Sequence, residues 1–345
     1  MARVFLHVGA HKTGTSFLQS MFHQNRALLA RDNIYYPDLG PNNAHHALAR
    51  AWIDTPDIPD AFFGPGGVDA MWDRLIDTYA STPGTLFLSA ENFSRVYPKR
   101  VDMADLARRL APFDDMRIIY TMRRQTEMIS SVWTQAAKTY KTPRFGKVIK
   151  EMFTDRRVIG VPIDHNSVYS NLRAGFAPEQ ITLLDYAALC AGPEGVLGAF
   201  LKLLGSTLDP TDFAPLKNAA LANISPDPIT MYLATRITRN APPPPNLIAL
   251  IHQAIRPDRD GPTSLLTRAE YKKVQGRFTD SNRELTSRVQ PVQPGFTFEA
   301  DTRPPPPFCR DDITDETWID VANALYEALP SKKTPGPIRY FLNRL

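Results

Sequence analysis

The chain has 345 residues, 43% of them apolar and 22% charged, which is enough to bury one large core or two modest ones and too apolar for a disordered polymer. Its 40 basic and 36 acidic residues leave a formal charge of +4, too small an excess to imply a nucleic-acid partner but compatible with local basic pockets for small anions. Only Cys190 and Cys309 occur, far apart and without metal-ligand spacing, which indicates neither a disulfide framework nor a zinc site; reduced buried thiols are expected.

Residues 3–8, RVFLHV, are short, apolar and partly β-branched or aromatic, as suits a buried parallel strand. From Thr15 onward Phe17, Leu18, Met21, Phe22, Leu28 and Leu29 fall on one side of a 3.6-residue wheel, with Gln19, Asn25 and Arg26 elsewhere. This predicts an amphipathic helix packed on a sheet. Helical stretches near 69–80 and 102–111 precede the strand-like runs TLFLS at 85–89 and MRIIYT at 116–121, and ITLLDY at 181–186 follows the helix-like VYSNLRAGF. Such alternation predicts a parallel sheet covered on both faces. Beyond about 205 the segments read as helices broken by the proline runs 242–245 and 304–307, which favour semi-rigid connectors because proline fixes φ and donates no hydrogen bond. The expected organisation is an α/β nucleotide domain over 1–205 and a mainly helical extension over 206–345 that packs on it. No stretch approaches the roughly 18 to 20 apolar residues of a membrane span, so no transmembrane segment and a cytoplasmic location are expected.

The stretch GAHKTGTS, residues 9–16, joins the first strand to its helix. Gly9 permits a tight turn, and Gly14 lets the backbone approach a ligand where the helix begins. Backbone N–H groups, the helix dipole, Lys12 and the hydroxyls of Thr13, Thr15 and Ser16 would converge on one anion. In a Walker A loop the lysine directly precedes Ser/Thr after the last glycine, whereas Lys12 precedes Gly14, which weakens an ATP-kinase reading.

HKTGTSFLQ after an N-terminal strand resembles the 5′-phosphosulfate loop of sulfotransferases that use 3′-phosphoadenosine 5′-phosphosulfate (PAPS). The resemblance implies a P-loop-like three-layer α/β fold, with a central parallel sheet flanked by helices and a helical C-terminal extension. It implies PAPS as co-substrate with no metal, Lys12 at the phosphosulfate bridge, and Thr13, Gly14, Thr15 and Ser16 at the 5′-phosphate. His11 stands where many relatives carry proline. The family holds the 3′-phosphate with an arginine at the end of a later strand and a serine two helical turns on, and IIYTMRRQTEMISSVWTQ offers Arg123 and Ser131. The eight-residue spacing favours Arg123 over Arg124. On that helix Glu127, Ser131, Thr134 and Lys138 share one face, opposite Met128, Ile129, Val132, Trp133 and Ala136. VYSNLRAGFAPEQITLLDYAAL and FTDSNRELTSR are similar to further family segments. Lys272, Lys273 and Arg277 would either close over the adenosine end or form a solvated helix face.

Sulfuryl transfer needs positioning, charge stabilisation on the leaving phosphate and a base for the acceptor hydroxyl or amine. Lys12 suits the second task. Two regions offer the base: Glu91 directly after a parallel strand, and the pair His45 and His46 between the first helix and the next helical stretch. Glu91 and His46 stand ahead of His45, unranked between themselves; the bland alternatives are a capping carboxylate and exposed first-turn histidines. His7 and His11 flank the loop as structural donors, and His11 could orient the phosphosulfate. The acceptor, a carbohydrate, a lipid head group or a small metabolite, is expected at 38–70, 140–165 or the proline-rich region. Tyr35, Tyr36, Trp52, Phe62 and Phe63 would serve there as stacking surfaces or else as core. The rival readings are a P-loop kinase, with Glu91 as base or magnesium ligand, and a non-catalytic nucleotide-binding protein.

Overall fold

Side-chain alternation along the first strand sets the layers. In β1 (Ala2–His7) Val4 and Leu6 join one apolar cluster and Phe5 another on the opposite face, as the twofold repeat of a strand requires. The computed structural model describes residues 1–40, 42–216, 226–255, 261–298 and 301–329. Around β1 lie β2 (Ile34–Tyr35), β3 (Gly84–Ser89) and β4 (Asp115–Met122). A short antiparallel pair, β5 (Arg157–Val158) and β6 (Val161–Pro162), precedes β7 (Ile181–Asp185). The central sheet has five strands in the order β2-β3-β1-β4-β7, every pair parallel, with Phe5 level with Phe87 and Arg117.

On one face α1 (Thr15–Gln24), α2 (Arg26–Arg31) and α9 (Gly195–Leu204) bury Leu18, Phe22, Leu29 and Phe200 against Phe5 and Phe87. The other face is covered by α3 (Gly67–Tyr79), α4 (Met103–Leu110) and α5 (Gln125–Thr139), with α6 (Phe145–Asp155) and α7 (His165–Leu172). α8 (Tyr186–Ala191) leaves the end of β7. The result is a three-layer, P-loop-like α/β fold, and the strands run within a residue or so of the segments read from the sequence.

Four features depart from the sequence reading. The helix expected from Thr15 through Leu29 breaks at Asn25, whose side chain donates to Met21 O at 2.9 Å and accepts from Ala214 N at 3.0 Å. Gln19 is buried rather than turned to solvent. The edge strand β2 went unread, since two residues carry no period. Cys190 is exposed and only Cys309 is buried, both as free thiols.

Beyond residue 205 come α10 (Pro228–Ile237), α11 (Pro245–Ile255), β8 (Thr263–Ser264), α12 (Arg268–Val289), β9 (Phe308–Cys309) and α13 (Asp315–Glu327). A capping box starts α12: Glu270 N donates to the Thr267 hydroxyl at 3.1 Å and Thr267 N to the Glu270 carboxylate at 2.9 Å. α10 and α12 pack on α5, and Met231, Phe278 and Val321 join the same apolar cluster as Leu6. The parallel pairing of β8 with β9 brings the run Pro304 to Pro307 back beside residues 262–264, against the carboxyl edge of the sheet. Among the described residues no helix is long and apolar enough to cross a membrane.

Candidate active site

Because all strands are parallel, their exits gather at one edge, where ligands of open α/β sheets lie. β1 keeps pairing past its last residue, Val8 N to Ile119 O and Ala10 N to Thr121 O, both at 2.8 Å. The chain then turns through two left-handed residues, Lys12 (φ 69°) and Gly14 (φ 73°). At Gly14 a Cβ would stand 3.1 Å from the Tyr186 ring. Lys12 lacks glycine's freedom and carries a conformational cost of about 1–2 kcal/mol. Two bonds hold the turn against that cost: Thr13 Oγ1 to Ala10 O at 2.7 Å and Arg123 Nη1 to Lys12 O at 3.1 Å. The first helical N–H to find a carbonyl in α1 is that of Leu18, on Gly14 O at 3.1 Å, so the amides before it have no helical acceptor.

The three loop hydroxyls separate by role. Thr13 is buried and committed to the turn, Thr15 donates to Glu91, and Ser16 is exposed in the cleft with no partner among the described residues. The Lys12 ammonium lies 3.2 Å from Gln135 Oε1, and burial, Lys138 and Arg123 all lower its pKa. Gln135 was not foreseen; it sits one turn beyond Ser131.

Arg123, at the exit of β4, faces this turn. Besides Lys12 O it reaches Ser131 Oγ at 3.3 Å and Glu127 Oε2 at 3.0 Å, and its guanidinium lies 5.7 Å from the Tyr186 ring centre. Its own carbonyl contacts His165 Nε2 at 2.8 Å, while His165 Nδ1 contacts Tyr120 Oη at 2.8 Å, a brace no sequence signal marked. Arg124 turns away, onto Asp185 at 3.5 Å and the Phe298 ring at 4.7 Å. Glu127 also binds Arg303, at 2.8 Å, and Arg303 is anchored by Asp301 at 2.8 Å. The extension thus contributes an arginine that the sequence reading missed. Of the helix carrying Lys272, Lys273 and Arg277, Tyr271 lines the cleft instead, and Lys273 stacks over Phe153 at 4.5 Å.

At the exit of β3, Glu91 is buried. It accepts from Thr15 and from Gln19 Nε2 at 3.2 Å, with His46 Nε2 at 3.5 Å. Burial works to raise its carboxyl pKa, but the His46 and His11 rings and the Thr15 hydroxyl outweigh it and hold the group well below the usual carboxylate range. His45 is not an exposed first-turn residue: it is buried, its Nδ1 accepts from Ser89 N at 2.9 Å and its Nε2 donates to Pro37 O at 2.9 Å, so both nitrogens serve the backbone. Burial pushes His45 and His11 down to about 4 and lowers His46. His46 Nδ1 and His11 Nε2 are buried without a hydrogen-bond partner among the described residues. His7 bridges Ser89 Oγ at 3.0 Å and Thr121 Oγ1 at 3.2 Å inside the sheet. Of the candidate stacking aromatics, Tyr36 and Phe63 are core and Trp52 bonds Asp105 at 2.7 Å.

The exits open into one cleft of ≈1460 Å³. Lys12, Gly14, Thr15, Ser16, Glu91, Arg123, Ser131 and His11 line it, while His45 and His46 do not; the far wall is Pro304 to Pro307. Residues 3–240 match the family described as the sulfotransferase domain. The chain belongs to the sulfotransferase family. No curated protein matches the sequence. Among solved structures this sulfotransferase is similar to one from Alicyclobacillus acidocaldarius, with 20% identity over 72% of this chain and 95% of that one and a TM-score of 0.38. It is also similar to mouse sulfotransferase SULT7A1 complexed with PAP, with 11% identity over 85% and 87% and a TM-score of 0.41. Membership rests on the domain match alone.

Proposed function

We propose that this sulfotransferase takes its sulfuryl group from PAPS and passes it to a hydroxyl or amine of a carbohydrate, lipid-head-group or small-metabolite acceptor. The observation that carries the reading is the Arg123 guanidinium joining the Lys12 carbonyl at 3.1 Å to the Ser131 hydroxyl at 3.3 Å, so that two anion grips face one cleft. The donor set fits a doubly phosphorylated nucleotide: an ammonium, a guanidinium and two hydroxyls supply N–H and O–H groups, with Glu127 as the counter-ion that a phosphate at Arg123 would meet. Ser16 and the free amides of the α1 start would hold the 5′-phosphate, and Arg123 with Ser131 the 3′-phosphate, with Arg303 behind. The cleft exceeds the roughly 300–1,000 Å³ of a typical small-molecule site, leaving room for donor and acceptor together.

In the transfer, the bond from sulfur to the bridging phosphate oxygen breaks, a bond from sulfur to the acceptor oxygen or nitrogen forms, and the acceptor proton passes to a base. Lys12 stabilises the charge left on the bridging oxygen. Glu91 is the base we assign: of the carboxylates that line the cleft, Glu127 is held by Arg123 and Arg303 and Asp227 caps a helix, whereas Glu91 stands at the exit of β3 and is ionised at neutral pH. His46, outside the cleft, orients it. A low carboxyl pKa limits its proton affinity, which puts its contribution at the low end of general-base effects, about 10²-fold.

Calorimetric titration with adenosine 3′,5′-bisphosphate and with ADP tests the reading. At least tenfold tighter binding of the 3′-phosphorylated nucleotide is expected; equal affinities would remove the Arg123 grip from the proposal.

A further inference from the structure

On the reverse side of α5 a second cavity of ≈420 Å³ lies between α5, α6 and α10, sharing no lining residue with the donor cleft. Its apolar wall is aromatic: the half-buried Tyr232 lines it, 6.3 Å from Trp133, while Trp133 and Phe145 are buried with centroids 5.7 Å apart and the Arg310 guanidinium lies 5.1 Å over the Phe145 ring. Arg144, Lys147, Lys150, Arg236 and Arg310 also line it, and no carboxylate does. Two of these cations are already matched, Lys147 with Glu151 at 3.8 Å and Arg310 with Glu270 at 2.8 Å. Arg144, Lys150 and Arg236 are exposed, and none has an ion-pair partner among the described residues. Three unmatched cations around one concavity repel one another and raise its potential, an arrangement an anion relieves. Gly146, the second residue of α6, has open space where a side chain would stand, so a ligand can come up to the backbone there.

We propose that this cavity binds a small organic phosphate or sulfate monoester with a single-ring body. The anionic head would lie among Arg144, Lys150 and Arg236, and the ring against Tyr232. The volume, near the lower end of small-molecule sites, suits one ring and its head group and is too small for a dinucleotide. The half-buried Tyr232 accounts for the ring, since a flat face stacks on it and a bare inorganic ion leaves it uncovered.

The test is calorimetric titration of the full chain with phenyl phosphate, beside inorganic phosphate and phenol as separate probes. It is made with and without saturating adenosine 3′,5′-bisphosphate, so that failure of the PAPS reading leaves this test standing. Phenyl phosphate is expected to bind one to one in both conditions, at least tenfold more tightly than phenol or inorganic phosphate. Arg236→Glu and Lys150→Glu should each weaken it at least tenfold while nucleotide affinity is unchanged. Arg236→Gln, a milder change at an exposed position, should weaken it less and keeps the test valid if a charge reversal fails to fold. Absence of a phenyl phosphate site beside bound nucleotide, or unchanged affinity in both Arg236 variants, would overturn the site. Phenol binding as tightly would overturn the anionic head, and inorganic phosphate binding as tightly would overturn the ring.

Discussion

The exits of β1 and β4 and the exit of β3 lie side by side on one sheet edge and are built on opposite terms. Arg123 carries more N–H donors than its bonds to Lys12 O, Ser131 and Glu127 consume, the Lys12 side chain lines the cleft, and the Ser16 hydroxyl is exposed. At β3 the groups are tied to protein: Glu91 accepts from Thr15 and Gln19, and both nitrogens of His45 are bonded to backbone. An open edge is fitted to receive an anion, and a closed one to hold a geometry. The difference separates residues whose loss should harm catalysis from residues whose loss should harm the fold, although they stand in neighbouring turns.

The sharpest break in that contrast comes from Lys12→Ala, which should lower kcat by about 10²–10³ with an unchanged melting temperature, by analogy with loss of one charge-stabilising donor. Steady-state kinetics with any accepted substrate reads it, and near-normal turnover would take the open edge out of the chemistry. Next comes Glu91→Gln, which straddles the two classes. A loss of about 10² in kcat is expected, whereas a variant that merely melts earlier would assign the carboxylate to the closed edge. Arg123→Met should then weaken adenosine 3′,5′-bisphosphate by roughly 10- to 100-fold, the worth of hydrogen bonds to a charged group, while ADP affinity changes little. His45→Ala should have the smallest effect on kcat, because it strips partners only from Ser89 N and Pro37 O. Denaturant titration should record a loss of about 2–4 kcal/mol for those two buried groups.

Acid should act on the buried histidines of both sides. His7, His11, His45 and His165 are each pushed by burial from 6.5 to about 4, so the unfolded chain takes up their protons first. The stability they confer is complete above about pH 6.5 and is lost as the pH falls from there through 4. Glu91, with its folded pKa also depressed, acts in the same direction at lower pH, below 4.5. Melting curves at pH 7.5 and pH 5 should differ, the acid sample unfolding earlier, and a flat profile would contradict neutral buried rings.

The contrast also explains what was legible in the sequence. The β1 turn is local, defined by glycine positions and one lysine, and the Arg123–Ser131 pair is a short interval that the sulfotransferase resemblance picks out. The strands could be read because parallel strands covered on both faces are near-continuous apolar runs. Gln19 could not, since on the wheel it is a polar residue, and only the end of β3 and the turn after it supply the Ser89 and Glu91 groups that receive its amide at 3.2 Å. Glu91, His45 and His46 were inseparable for the same reason: their roles depend on which atoms are already bonded. Arg303 lay behind a proline run in a region with no strand rhythm, and only the β8–β9 pairing brings it to Glu127.

Glu127 takes Arg123 with one oxygen and Arg303 with the other. Any dianion that competes for Arg123 must therefore loosen half of that clasp and leave Arg303 to rebalance its own charges. On the proposed nucleotide reading, occupancy at Arg123 and the Arg303–Glu127 ion pair would be linked by counter-ion exchange, and by reciprocity each would favour or oppose the other by the same factor.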